Sequence, residues 1–346
     1  MAERSKPPVQ ARGAKPASIA DVARAAGVSI ATVSRIVNGT TGKASAATVA
    51  RVQATIAQVG YRPTGAGQAL RKGQSRLVAV LAANLANPAM AAIAASIETA
   101  LRDVGLAMVL CDTHDNPDLQ DEYLSEMRAQ AVRATVLLGA VRSKQLSNAM
   151  AGAAPLLFVN RRCPIDKAAA FVGIDNQAAG AAVAKALHAR VPKGALAVIH
   201  GSLESSATSD RIAGFRRQLQ ALGRTLLDID VPAALGADHL ALGHAATALL
   251  LAQPVRPAAI FCASDLIAYG THRRLREAGL RVPQDMLLIG FDDNPLNDWI
   301  APWLASVRVP YVAFGPAIVA MLGEMWRGEK PAAGLLDYTL VDRPQA

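Results

Sequence analysis

The sequence predicts a protein in two parts: a small all-α head carrying a helix-turn-helix, and a large α/β body of two lobes built on parallel sheets. Three observations predict it. Charge is lopsided. Residues 1–73 hold eleven Lys and Arg against two acids, Glu3 and Asp21, while the rest of the chain balances, so the net charge of +9 lies in the first fifth. Between Ser18 and Gly60, apolar residues recur at helical spacing and are interrupted by single glycines. Beyond Gly73, strand-length apolar runs alternate with Ala-rich amphipathic segments, the pattern of parallel strands covered by helices. A chain of 346 residues is long enough for a minimal domain plus a large one.

Residues 1–17 form a Pro-containing basic tail, expected to be disordered, with no apolar core of signal-peptide length, so export is not expected. Ser18 stands as an N-cap before Ile19, Val22, Ala23 and Ala26, with Asp21 in the first turn near the positive end of the helix dipole. Gly27 supplies a turn. Ser29 then caps a second short helix whose Val33, Ile36 and Val37 share one face, leaving Ile30, Ala31, Ser34 and Arg35 to face elsewhere before Asn38 and Gly39 stop it. Ser45 caps a third helix with Val49, Val52, Ile56 and Val59 on its core face, ended by Gly60. Two short helices around one glycine with a third behind them make a helix-turn-helix, and the second helix is its reader. The basic head therefore points to a polyanionic partner. An unrelated three-helix module, or a solvated basic tail with no partner, remains open on spacing and charge alone.

In the body, apolar runs at 77–82, 106–111, 134–140, 155–160, 195–200, 258–262 and 286–291 are of strand length. In open sheets of this kind ligands bind beyond the carboxyl ends of the strands. The stretch 77–97 is apolar, but Asn84, Asn87 and Pro88 divide it into a strand, a polar loop and a helix rather than a membrane span. Cys111, Cys163 and Cys262 show no CxxC pair and read as buried thiols in a reducing cytoplasm. No GxxxxGK[ST], HExxH, GxSxG or strand-to-helix GxGxxG occurs, and the histidines form no ligand-spaced cluster. His239 and His244, five apart, read as surface or core residues. The sequence thus excludes an enzyme, a catalytic residue, a cofactor or a metal. The basic head excludes a transport binding protein, and the large body sets the chain apart from an architectural DNA protein.

Residues 18–38, SIADVARAAGVSIATVSRIVN, closely resemble the head of the lactose/galactose repressor family of transcriptional regulators. The likeness continues through Gly60-Tyr61-Arg62-Pro63, a hinge ending at Gly73, and body segments at 83–88, 171–176, 209–215, 261–270 and 289–293. What the resemblance implies is a homodimer or tetramer that binds pseudo-palindromic operator DNA. Its body would be like a periplasmic sugar-binding protein, with a sugar, sugar acid or related metabolite held between the lobes. The implied organisation is a tail at 1–17, a DNA-binding domain at 18–63, a hinge at 64–75 and an effector and dimerisation domain at 76–346. Within the last, the N-lobe is expected at about 76–174 plus 306–330, and the C-lobe at about 175–305 plus 331–346.

The family pattern places Ile30 and Ala31 at the leading positions of the reading helix, with Arg35 a third. An apolar pair can touch a thymine methyl, whereas Arg35 can donate to guanine or phosphate. Packing within the head is the other role open to Ile30. Ser18, Ser29, Thr32, Ser34 and Ser45 match phosphate contacts and caps, and Asn38 and Tyr61 are matched as further DNA contacts. Leu70 matches a leucine wedged into the minor groove, packing against the body being its alternative. In the body, Arg211 matches an effector-binding arginine, with Asp265, Phe291 and Asp292 in the same cleft and Asn87, Met90, Asn160 and Arg161 as weaker candidates. Asp265 has a helix N-cap as a rival role, and Arg211 has pairing with an acid that holds the lobes together. Ala89 and Met90 stand where the family often has an aromatic pair, which puts ring stacking there in doubt.

Overall fold

A computed structural model describes residues 17–61, 75–227, 233 and 235–343. The chain divides into two compact units, residues 1–75 and 76–346.

The first unit holds α1 (Ile19–Ala26), α2 (Ile30–Val37) and α3 (Ala46–Val59). Each starts on a serine whose hydroxyl accepts a backbone N–H of the first turn: Ser18 from Asp21, Ser29 from Thr32, Ser45 from Thr48. At α1, the Asp21 carboxylate also accepts the Ser18 N–H, completing a capping box. Gly27 turns the chain between α1 and α2 at φ 62°, a left-handed conformation that a side chain resists. Val22, Ala23, Ala26, Val33, Ile36 and Val52 form the core, and Arg51 Nε donates to the Ala26 carbonyl, fastening α3 to the end of α1.

The second unit holds two six-stranded sheets. In chain order its elements are β1 (Leu77–Ala82), α4 (Pro88–Asp103), β2 (Ala107–Asp112), α5 (Pro117–Ala129), β3 (Ala134–Leu138), α6 (Leu146–Met150), β4 (Leu156–Val159) and β5 (Phe171–Ile174). They are followed by α7 (Asn176–Arg190), β6 (Leu196–Ile199), α8 (Ser206–Ala221), β7 (Leu226–Leu227), α9 (His239–Leu251), β8 (Ala259–Cys262), α10 (Asp265–Glu277) and β9 (Leu287–Asp292). Last come α11 (Asn297–Ile300), β10 (Ala305–Arg308), α12 (Tyr311–Trp326), β11 (Gly334–Leu336) and β12 (Thr339–Val341). The N-lobe sheet runs β11-β5-β4-β3-β1-β2 and the C-lobe sheet β12-β10-β9-β8-β6-β7. All pairings are parallel except β10 with β12. The central strands are mainly apolar because helices cover both faces of each sheet, as in β3 and β8, where every residue is buried.

Helices α7 and α8 touch through glycines. A Cβ at Gly180 would lie 2.0 Å from the Arg211 carbonyl oxygen, and one at Gly214 would lie 2.0 Å from that of Gln177. Only a residue with no side chain lets the two backbones approach so closely.

The lobe boundaries differ from the sequence expectation at the C-terminal end. Residues 306–308, expected at the edge of the N-lobe, belong to β10 and pair with β9 in the C-lobe. Residues 334–336, expected in the C-lobe, form β11 and pair with β5 in the N-lobe, and the chain returns to the C-lobe only at β12. The physical reason is length. Segments of three or four residues carry no readable periodicity, and a sheet edge accepts whichever short strand reaches it. Helix α12 does lie on the N-lobe, against α4, through Gly315 beside the Ser96 carbonyl.

Candidate operator interface and effector cleft

In the head, α2 buries Val33 and Ile36 and turns its other side outward. Ile30 is 50% exposed, so it is not a packing residue, and Ala31, Arg35 and Asn38 are exposed beside it. The Arg35 Nε–H donates to the Ala31 carbonyl and Asn38 Nδ2 to that of Ser34, which leaves most of the Arg35 fork directed away from the helix. Ser18 and Ser29 are exposed caps, and Thr32 pairs its hydroxyl with that of Ser29. Tyr61 packs against the head core. Residues 62 and 63 at the end of the head and residues 64–74 of the expected hinge, Leu70 among them, lie outside the described residues.

In the body, five of the six described non-glycine residues with positive φ stand just past strand ends: His114 and Asp115 after β2, Asn160 after β4, and Asp292 and Asp293 closing β9. Backbone in this sparsely populated region costs energy and clusters at binding sites. It marks the carboxyl ends of both sheets, where the lobes face each other.

Two groups of side chains meet there. The outer group surrounds a cavity of about 390 Å³. The N-lobe contributes Asn87, Met90, Asp115 and Arg161, and the C-lobe contributes Ser205, Thr208, Asp238 and His239. Arg161 forms a short ion pair with Asp115, and both side chains are nearly buried. His239 shares a hydrogen bond between Nδ1 and Ser264 Oγ at 3.0 Å, and burial, with Arg161 next, pushes its imidazole below the usual range.

The inner group is buried beneath the cleft. Arg211, 7% exposed, donates from Nε and Nη2 to Asn176 Oδ1 at 3.2 and 3.0 Å, and from Nη1 to the Ala263 carbonyl. Its guanidinium lies 3.2 Å from the centroid of the Phe291 ring, a cation–π contact. Burial pushes Arg211 down to about 10, opposed by the charge of Asp292. Burial pushes the Asp292 carboxyl up to about 7, with Arg211 acting against it. The Tyr311 hydroxyl donates to the Asp292 carbonyl at 2.5 Å, and burial raises its phenol. Asp265, 1% exposed, is not an N-cap: Ser264 caps α10, accepting the Ile267 N–H, while Asp265 is its first residue. Its carboxylate accepts from the Asn294 N–H at 2.7 Å, Ser306 Oγ at 2.7 Å and Asn297 Nδ2 at 2.8 Å. Burial nonetheless lifts it to about 6.

The structure therefore gathers Asn87, Met90 and Arg161 at the cavity, and places Arg211, Asp265, Phe291 and Asp292 in the buried network behind it. Asp265 faces protein donors rather than open space. Arg211 holds two C-lobe groups to each other and does not tie the lobes together by an acid. Asn160 lines a separate space of about 640 Å³, with its amide 4.0 Å from Met90 Sδ. His239, read from spacing as surface or core, lines the cavity; a histidine on the first turn of a helix after a strand-end loop is the signal that could have found it.

Residues 18–64 match the model for bacterial regulatory proteins of the lacI family, and residues 194–344 match that for periplasmic binding protein-like domains. The chain belongs to the lacI family. It is 28% identical over 323 residues to the HTH-type transcriptional regulator DegA of Bacillus subtilis (strain 168), covering 91% of this chain and 93% of that one. A lac repressor dimer bound to operator and the anti-inducer ONPF superposes with a TM-score of 0.80 at 26% identity, over 95% of this chain and 98% of that one. A complex of the transcriptional regulator CelR with cellobiose superposes with a TM-score of 0.69 at 26% identity, over 95% of this chain and 100% of that one. This lacI-family protein is a DNA-binding transcriptional regulator rather than an enzyme. Its family binds operator DNA and small effectors as dimers. Among the described residues, no helix is long and apolar enough to cross a membrane.

Proposed function

We propose that this regulator is a cytoplasmic repressor that reads its operator through the exposed face of α2 and answers to a small metabolite, a sugar or sugar acid, in the cleft between the lobes. The observation that carries the reading is the pair of surfaces: an unburied Ile30–Ala31–Arg35 face on a basic head, and a polar cavity at the strand ends of both lobes. The organisation that goes with it is a tail at 1–17, a head at 18–63, a hinge at 64–75 in which Leu70 meets the minor groove, and the body beyond. A ligand gripping both lobes favours one lobe arrangement over another, and the hinge would pass that preference to two heads on one duplex.

The test uses purified full-length protein and selection from random duplex DNA. A pseudo-palindrome should emerge, with affinity falling on added salt at a log–log slope of roughly −5 or steeper, because many head cations meet phosphates. A chain starting at Arg76 should lose DNA and keep ligand. Absence of any salt-dependent duplex preference would overturn the proposal.

A further inference from the structure

Most side-chain acceptors described around the cavity between the lobes already take at least one N–H from the protein. Oδ1 of Asn84 accepts the Ala86 N–H, and Oδ1 of Asn87 accepts that of Ala89, each at 2.9 Å. The hydroxyl oxygens of Ser202 and Ser205 accept the N–H groups of Glu204 and Thr208. Both carboxylate oxygens of Asp115 face Arg161, and Asp238 Oδ1 caps α9 by accepting from Leu240 and Ala241. Among these described groups only Asp238 keeps a carboxylate oxygen uncommitted, and it belongs to an exposed residue at the rim.

What these groups still offer is protons. The two Asn amides, the serine hydroxyls and the remaining Arg161 N–H groups are donors. His239 joins them. Because Ser264 Oγ already accepts the Ile267 N–H, its own proton is best given to His239 Nδ1, and the imidazole then carries its hydrogen on Nε2. That nitrogen lies over Gly201, where a Cβ would come within 2.7 Å of it. The N-terminal ends of α4, α8, α9 and α10 also meet the cavity, through the caps Asn87, Ser205 and Asp238 and through Leu266, so four positive dipole ends adjoin it.

Among the described residues the walls show no phenyl, phenol or indole ring, and His239 supplies the one imidazole. The nearest aromatic face within the cleft network, Phe291, is covered by Arg211. A site whose side chains offer many donors, fewer uncommitted acceptors and no open phenyl or indole face fits a ligand that accepts hydrogen bonds and does not stack.

We infer that the effector is a small open-chain hydroxycarboxylate, its carboxylate held by Arg161 from the N-lobe and His239 from the C-lobe, rather than a neutral sugar ring. The inference rests on the proposed effector role of the cleft and deepens it. A sugar hydroxyl presents both donor and acceptor and would meet mostly donors, whereas a carboxylate only accepts. Bridging the two lobes also gives the ligand a grip on their relative position.

The test is calorimetry on the full-length protein with matched probes: glycerate against glycerol, tartrate against threitol, and gluconate against sorbitol, with glucose and ribose as ring sugars. At least one acid should bind, at least tenfold tighter than its neutral partner, and should change operator affinity. His239→Leu should weaken that acid about 10- to 100-fold, the loss of one hydrogen bond to a charged group, while His239→Gln, which keeps an N–H, should retain most of it. Melting temperatures of the free variants identify any that fail to fold, and Arg161→Met with Asp115→Asn then serves as the second variant, removing the cation without stranding the acid. Equal or tighter binding of a neutral partner, silence of every acid, or an acid indifferent to both variants overturns the inference. A ring sugar that alters operator affinity while all acids are silent overturns the inference alone and leaves the effector role standing. A protein whose operator affinity responds to no small molecule overturns that role as well.

Discussion

Arg211→Ala separates the structural duty of this arginine from a ligand-binding one. In the structure its guanidinium serves Asn176 Oδ1 and the Ala263 carbonyl, covers Phe291, and faces the Asp292 carboxyl. Truncation leaves two buried acceptors without a donor, at about 1–3 kcal/mol each, and uncovers a buried ring. Asp292 loses its opposing charge, but a carboxyl already pushed up to about 7 can take a proton and limit that part of the cost. The expected loss is about 3–5 kcal/mol in the body, in the range seen when one partner of a buried charged network is removed. For a unit of this size that lowers the melting temperature by roughly 6–15 °C. Arg211→Lys should recover little, because a point charge cannot span Asn176 and Ala263 as a planar fork does. Urea unfolding followed by near-ultraviolet circular dichroism measures the change, with operator affinity recorded below the transition. A loss under about 1 kcal/mol would refute the reasoning and return Arg211 to the role of a ligand-facing side chain with little structural duty.

Three further outcomes follow from the same contacts. Arg35→Ala should weaken operator binding and, where Arg35 reads guanine rather than phosphate, cost about 1–3 kcal/mol at one base position in a selection experiment; equal losses on all sequences would assign it to phosphate. Asp265 and Asp292 hold protons more tightly folded than unfolded, with values raised from 3.8 to about 6 and about 7. Their contribution is therefore full below about pH 4 and lost as pH rises to 6–7, and Asp292→Asn should flatten the fall in stability between about pH 4 and 7, as read by thermal melts across that range. Gly180→Ala places a methyl 2.0 Å from the Arg211 carbonyl oxygen and should force α7 and α8 apart at a cost of about 1–3 kcal/mol, whereas Gly223→Ala, which meets no neighbouring atom, should show only the strain of its φ of 63°. A Gly180 variant that melts like the wild type would show that the helix contact yields.

By itself the sequence determined what is local. Serine caps, single turn glycines and helical apolar spacing are decided within a few residues, so the three head helices and their exposed reading face were legible in Ser18, Gly27, Ser29, Ile30 and Ser45. Long apolar runs such as 77–82 and 258–262 likewise announce buried parallel strands, because burial on both faces demands unbroken hydrophobicity. The tertiary structure alone decided what depends on meeting across the fold. Short strands at 305–308, 334–336 and 339–341 take their sheet from the edge they reach, which no periodicity records. The choice between Ser264 and Asp265 as cap turns on Asn294, Asn297 and Ser306, residues 29 to 41 positions away that claim the Asp265 carboxylate and draw it inward. His239 reaches the cleft because α9 begins at the cavity, which Arg161 of the other lobe also lines. A lone histidine has no ligand spacing to betray it; its place at a helix start hints at the cleft, and only the convergence of distant backbone gives it a partner there.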